Sequence, residues 1–316
     1  MQKRKLGNSE LEVAPFALGG NVFGFTVDEP TSFKLLDAFI DKGFNLIDTA
    51  DGYSRWKPGN KGGESETIIG NWMQKKNNRD KVIIATKVGT DMGDGKKGLS
   101  KKYILQAVDA SLKRLHTDYI DLYQSHFDDL ETPVSETIDA YAALVQQGKI
   151  RAIGASNMSA ERLLASLRYS EQNHLPKYET LQPEYNLYSR EKFEKEYQTI
   201  CLKNDLSVIS YFALASGFLT GKYRSEKDLS KSIRGDGIKK YLNARGYRIL
   251  AALDKTSGRL NSTPASVSLA WLMVQPTIAA PIASATSIDQ LDSLVKAVDL
   301  QLDEKALNDL NVASSY

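Results

Sequence analysis

Eight short apolar runs, each followed by an amphipathic segment, recur through this 316-residue chain without a linker-like break, and that alternation limits the fold more than any single motif. The candidate strands are Phe16–Gly19, Asn45–Asp48, Lys81–Lys87, Tyr119–His126, Ile150–Ser156, Thr180–Tyr185, Leu206–Tyr211 and Thr277–Pro281. Helical patterns fall between them at Thr31–Lys42, Glu64–Lys76, Ser100–Leu115, Pro133–Gln147, Ser159–Asn173, Glu191–Asn204 and Ala265–Val274, with Ser287–Val298 after the last strand. Thr31, Ser100 and Ser159 suit N-caps, and Gly43 and Gly148 sit just past helix ends. Alternating strands and helices predict a parallel sheet, and eight pairs predict a single closed α/β barrel, the (β/α)8 or TIM barrel, over residues 16–300. Within 1–14, Gly7-Asn8-Ser9 joins two short runs and predicts an N-terminal β-hairpin, and Asp303–Ala313 predicts a further helix, so 1–316 reads as one domain.

Two loops, Ser54 to Gly63 and Thr220 to about Gly237, are long for a compact fold and are expected to cover a site. Lys and Arg number 41 against 39 Asp and Glu, which leaves no basic surplus to recruit nucleic acid or a charged membrane. A small-molecule partner is expected. Cys201 is the only cysteine, the N-terminus lacks the succession of a signal peptide, and no apolar run reaches membrane-spanning length, so the expected location is the cytoplasm.

Alternate residues of a strand share one face, so the last inward residue of each strand shows what the barrel mouth presents. The inward sets are Leu46 and Asp48; Ile83, Ala85 and Lys87; Ile120, Leu122, Gln124 and His126; Ala152, Gly154 and Ser156; Thr180 and Gln182; Ile209 and Tyr211. Singly, Asp48 reads as a turn cap, Lys87 as a surface lysine and His126 as a core histidine. Gathered at the C-terminal face of a barrel, where such folds bind ligands, they read as a site, and Tyr53 joins them five residues after Asp48. A phenol is a poor acid near neutrality, and a nearby ammonium lowers its pKa; Asp48 would keep Lys87 charged and oriented. His126 would donate a hydrogen bond to a substrate oxygen or relay the proton. The set suits protonation of an alkoxide as hydride reaches a carbonyl carbon, a contribution of ~10²–10⁴-fold from a positioned acid. No G-x-S-x-G elbow and no metal-ligand spacing is present, so neither acyl transfer nor a metal site is expected.

Asn45–Tyr53, Ile84-Ala85-Thr86-Lys87, Gln124-Ser125-His126, Ile153-Gly154-Ala155-Ser156-Asn157 and Gln182-Pro183-Glu184-Tyr185-Asn186, in this order and spacing, resemble the aldo-keto reductase family, as a bacterial-type long-loop member. The resemblance runs from the N-terminal hairpin to the last barrel helix. It implies a catalytic tetrad of Asp48, Tyr53, Lys87 and His126 with Tyr53 as proton donor, and reduction of an aldehyde or ketone by NADPH. It also implies an NADP(H) site without a Rossmann fold, extended across the barrel mouth. Ser156, Asn157 and Gln182 would hold the carboxamide, and Tyr211 would stack on the nicotinamide. Phe212, Leu214, Ser216, Gly217, Leu219 and Lys222 would follow the pyrophosphate, joined by Arg234, although Phe212-Ala213 replaces the family's Ser-Pro. Gly20 and Asn21 are further cofactor candidates, and Ser284, Thr286 and Gln290 mark the adenosine end. Thr286 stands where many members carry an arginine or lysine for the 2′-phosphate, which leaves NAD(H) possible, since arginine grips a phosphate as a fork and threonine offers one hydroxyl. Substrate contacts are expected, by position, from Val22, Phe23, Trp56, Phe127 and Asp128. The alternative reading is a cofactor-binding regulatory subunit resembling the potassium-channel β subunits, with little turnover.

Gly93-Asp94-Gly95-Lys96-Lys97-Gly98 matches a dinucleotide fingerprint after a strand, with Asp118 twenty residues beyond. Its glycines all precede the N-cap Ser100, whereas the fingerprint needs a helix to open among them, so the stretch reads as a βα loop.

Overall fold

The computed structural model describes residues 1–232 and 235–316. Its strands are β1 (Arg4–Lys5), β2 (Glu12–Val13), β3 (Ala17–Gly19), β4 (Leu46–Asp48), β5 (Ile83–Val88), β6 (Ile120–Ser125), β7 (Ile150–Ser156), β8 (Tyr178–Gln182), β9 (Ser207–Val208) and β10 (Ile282–Ala283). The α-helices are α1 (Glu29–Asp41), α2 (Glu64–Lys76), α3 (Lys101–Leu115), α4 (Val134–Gln146), α5 (Ala160–Gln172), α6 (Gln198–Lys203), α7 (Ala244–Arg259), α8 (Pro264–Met273), α9 (Ile288–Val295) and α10 (Glu304–Ala313). Strands β3 to β10 form one parallel eight-stranded sheet in the order β10-β3-β4-β5-β6-β7-β8-β9. Its two edges meet where Val208 bridges Ile278: Val208 N donates to Thr277 O at 2.8 Å, and Ala279 N to Val208 O at 2.8 Å. The result is the expected (β/α)8 barrel, with helices between successive strands.

Inside the ring, Leu46, Ala85, Leu122, Ala152 and Ile209 pack together, which is the face that strand parity assigns to the interior. From below, Leu6, Leu11 and Val13 of the antiparallel β1–β2 hairpin complete this inner cluster. Arg4 donates to Ile278 O at 2.8 Å and Gly7 N to Ser207 Oγ at 2.8 Å, tying the hairpin to the strand starts. The N-terminal end is thereby plugged, and the C-terminal end is left for ligands. A second, larger cluster, including Phe39, Trp72 and Trp271, fills the layer between strands and helices.

Several boundaries differ from the sequence reading for identifiable reasons. The eighth strand is β10, not Thr277–Pro281: the apolar run continues to Ala283, and periodicity cannot place a strand within an unbroken apolar stretch. Helix α1 is capped by Asp28, whose carboxylate accepts from Thr31 N at 2.9 Å, so Thr31 lies inside the first turn. Pro30 is tolerated there because the first turn needs no N–H from it. Strand β8 stops at Gln182, before Pro183, and Tyr211 meets Glu184 only through an isolated bridge after the two-residue β9. The pattern at Glu191–Asn204 resolves into a π-turn, Phe193–Tyr197, followed by α6. Helix α7 has no counterpart in the sequence reading: Gly246, Thr256 and Ser257 share its buried face with Ile249, Leu250 and Leu253, diluting the apolar signal. The 93–98 stretch is loop, and Ser100 Oγ caps α3 as expected.

At Gly70 helix α2 lies against the last turn of α3 so closely that a Cβ would stand 2.1 Å from Arg114 O and 2.7 Å from Leu115 C. Gly70→Ala would gain ~1 kcal/mol of helix propensity, but it must displace backbone. A net loss of about 1–3 kcal/mol is expected, read as a lowered urea midpoint at unchanged m-value.

Candidate active site

Three strand ends build the centre. β4 closes on Asp48, β5 carries Lys87 one residue from its end, and β6 is followed directly by His126. Lys87 is fully buried, and its Nζ lies 2.8 Å from Asp48 Oδ2, 2.7 Å from Thr49 O and 2.9 Å from Tyr53 Oη. An ammonium has three N–H donors, and here each has an acceptor. Tyr53 Oη in turn donates to Asp48 Oδ2 over a longer 3.2 Å, and Gln182 Nε2 donates to Asp48 Oδ1 at 2.9 Å. The Tyr53 and His126 rings stand edge to face with centroids 5.9 Å apart, so the four sequence candidates do come together.

Burial and charge set the protonation of each group. Burial, then the Asp48 charge and its hydrogen bond, hold the Tyr53 phenol well above its ordinary pKa. This differs from the expectation that Lys87 would lower it: burial, and then Asp48, outweigh the ammonium, and the phenol keeps its proton. Burial pulls the Lys87 pKa down, and Asp48 opposes that pull. Burial first and then Lys87 push His126 well below the usual histidine range, leaving a neutral imidazole. Its Nδ1 is 2.7 Å from Thr90 Oγ1. A Thr90 hydroxyl donating to Nδ1 puts the ring proton on Nε2, where it can be donated to a ligand. Thr90 is absent from the sequence candidates, as its role depends on Gly52: a Cβ at Gly52 would lie 2.8 Å from Thr90 Cγ2.

The residues proposed to receive a cofactor divide by position. Ser156 Oγ donates to Gln182 O at 2.8 Å, Asn157 Nδ2 lies 3.1 Å from Ser156 Oγ, and Tyr211 Oη donates to Asn157 Oδ1 at 2.8 Å. These four side chains form one polar rim beside the Asp48–Lys87 centre, of a chemistry that fits a carboxamide and a flat ring. Past Tyr211, positive φ at Phe212, Ala215, Ser216 and Gly217 folds the chain into tight turns, a backbone suited to presenting amides to an anion. Leu214 is half-buried beside them and Lys222 is exposed, but Leu219 is buried in the core. Ser284 Oγ donates to Asn21 Oδ1 at 2.6 Å, next to Gly20, and Thr286 N donates to Gln290 Oε1 at 2.9 Å. Arg234 lies outside the described residues.

Over the mouth, Trp56 is 50% exposed and tilts against Tyr53 at 5.8 Å, and Phe127 is 47% exposed and stacks on His126 at 4.6 Å. Val22 and Phe23 are instead buried in the core, and the ring reaching Trp56 is Phe25, at 5.8 Å. Asp128 is held by Arg162 at 2.6 Å, so its charge is already matched. No group of three or more His, Cys, Asp or Glu able to hold a metal occurs among the described residues. Nor is any described helix long and apolar enough to cross a membrane.

Behind the centre, burial and the neighbouring Glu66 push the Asp51 carboxyl up to about 8. An acid whose pKa is raised by folding binds its proton more tightly in the native state. Between the unfolded value near 4 and about 8, stability therefore falls as pH rises, by up to roughly 1.4 kcal/mol per unit from this group. Asp51→Asn should flatten that slope in urea unfolding followed across this range.

The sequence profile of the Aldo/keto reductase family matches residues 15–314. Uncharacterized oxidoreductase YrpG of Bacillus subtilis is 35% identical over 98% of this chain and 95% of its own length. Protein tas of Escherichia coli is 31% identical over 98% of this chain and 96% of its own. A probable voltage-gated potassium channel subunit beta of Arabidopsis thaliana is 31% identical over 95% and 92%, respectively.

Proposed function

The chain belongs to the aldo/keto reductase family of oxidoreductases, which use nicotinamide cofactors, and from that premise we propose that it reduces the carbonyl of an aldehyde or ketone with NADPH. The observation that carries the reading is the Lys87 ammonium bonded at once to Asp48 and to the Tyr53 hydroxyl at the barrel mouth. When bound, the cofactor supplies the hydride. Ser156, Asn157 and Gln182 would hold its carboxamide, and Tyr211 would pack on its ring. Tyr53 donates the proton: its O–H turns from the long bond to Asp48 toward the substrate oxygen, while Lys87 keeps its own N–H on the phenolic oxygen and steadies the charge left there. His126, neutral and held through Nδ1 by Thr90, directs Nε2–H at the same substrate oxygen. Trp56 and Phe127 wall the approach, and at the adenosine end Thr286 and Gln290 offer no fork for a 2′-phosphate, so NADH is the competing cofactor.

Consumption of NADPH and NADH against a panel of aldehydes and ketones tests the reading. Catalytic turnover of at least one carbonyl compound is expected. Tight cofactor binding without multiple turnover would favour the second reading, a regulatory subunit, which the channel-subunit relative supports.

A further inference from the structure

Asp51 sits between Thr49 and Tyr53 in the loop after β4, only 2% exposed, and among the described residues no side chain hydrogen-bonds either of its carboxylate oxygens, the backbone N–H of Gly52 acting on them only weakly. Its backbone N–H donates to Lys87 O at 3.2 Å, which fixes it behind the lysine. The titratable and charged groups that act on it come from every packed element: Glu66 of α2, Arg114 and Tyr103 of α3, Lys87 of β5, Tyr123 of β6 and Tyr141 of α4. Both cations in this set already have a carboxylate, Lys87 with Asp48 at 2.8 Å and Arg114 with Glu66 at 2.7 Å. A third buried negative charge would have no cation of its own, and an unmatched buried charge is strongly disfavoured.

We propose that Asp51 is a positioning residue that carries its proton at neutral pH and that its ionisation, by adding a negative charge behind Lys87, weakens proton donation by Tyr53. The inference rests on the Tyr53–Lys87 reading given above. The phenolate left by proton donation is stabilised by the Lys87 charge, and a second anion near Lys87 offsets that attraction. The proton leaves Asp51 for solvent, and no other bond changes. With its carboxyl raised to about 8, the change falls within the range over which the reaction can be measured.

Two titrations on the intact protein test this. Infrared spectra should show the C=O stretch of a neutral buried carboxyl at neutral pH, vanishing with a midpoint near 8 and missing from Asp51→Asn. The kcat/KM of NADPH-dependent aldehyde reduction should fall with the same midpoint in the wild type, and the fall should move up by about one pH unit or more in Asp51→Asn. Absence of the neutral-carboxyl band, or a variant whose rate falls where the wild type's does, overturns the proposal. Should Asp51→Asn not fold, the wild type decides alone: coinciding infrared and kinetic midpoints support the proposal, and separated ones overturn it. A wild type that shows the band but reduces no carbonyl compound overturns the proposal through the functional reading on which it rests, and the band distinguishes the two failures.

Discussion

Tyr53→Phe is expected to lower kcat for carbonyl reduction by ~10²–10⁴-fold, the range lost when a positioned general acid is removed. The ring is kept, so its contacts with Trp56 and His126, at 5.8 and 5.9 Å, need not change. What disappears is the hydroxyl between Lys87 Nζ and Asp48 Oδ2. Affinity for NADPH, followed by quenching of intrinsic fluorescence, should stay within about threefold of wild type, since no contact proposed for the cofactor passes through this oxygen. A loss confined to kcat marks an interaction made in the transition state. Undiminished reduction by this variant would remove Tyr53 from the chemistry.

Lys87→Met separates the structural from the chemical role of the buried pair. Methionine approximates the volume of the stem but removes the ammonium, leaving Asp48 with Gln182 and Tyr53 as donors. Breaking one side of a buried pair costs about 3–5 kcal/mol, so a large fall in the urea midpoint is expected. On the proposed mechanism Lys87 stabilises the Tyr53 phenolate, and its removal should cost a further ~10²–10³-fold in kcat. In Lys87→Met with Asp48→Asn the uncompensated charge is gone, and most of the stability should return while the activity should not. A double variant that regained both would show that the pair serves folding alone.

Strand parity made the inner half of this site legible. Asp48, Lys87 and Gln182 each end an inward-facing set, and a barrel leaves only one open end for such residues once the hairpin residues Leu6, Leu11 and Val13 fill the other. The outer half was less legible, because loop conformation carries no period. Position alone pointed to Val22 and Phe23, yet the turn after β3 buries both and sends Phe25 to the mouth instead. Thr90 acts on His126 only because Gly52 leaves room for it, a relation between two loops that neither loop's sequence contains. Asp51 reads as one polar residue in a polar loop. Its burial among α2, α3 and β5 is a tertiary fact, and the unpartnered carboxylate emerges only from the packing of those elements.

NADPH carrying deuterium at the transferable position of the nicotinamide, mixed with an aldehyde and this protein, provides the most direct test. Mass spectrometry of the alcohol is expected to find one deuterium on the carbinol carbon per cofactor consumed. Alcohol formed with only protium at that carbon, or deuterated cofactor recovered unconsumed with every aldehyde and ketone tried, would contradict the account.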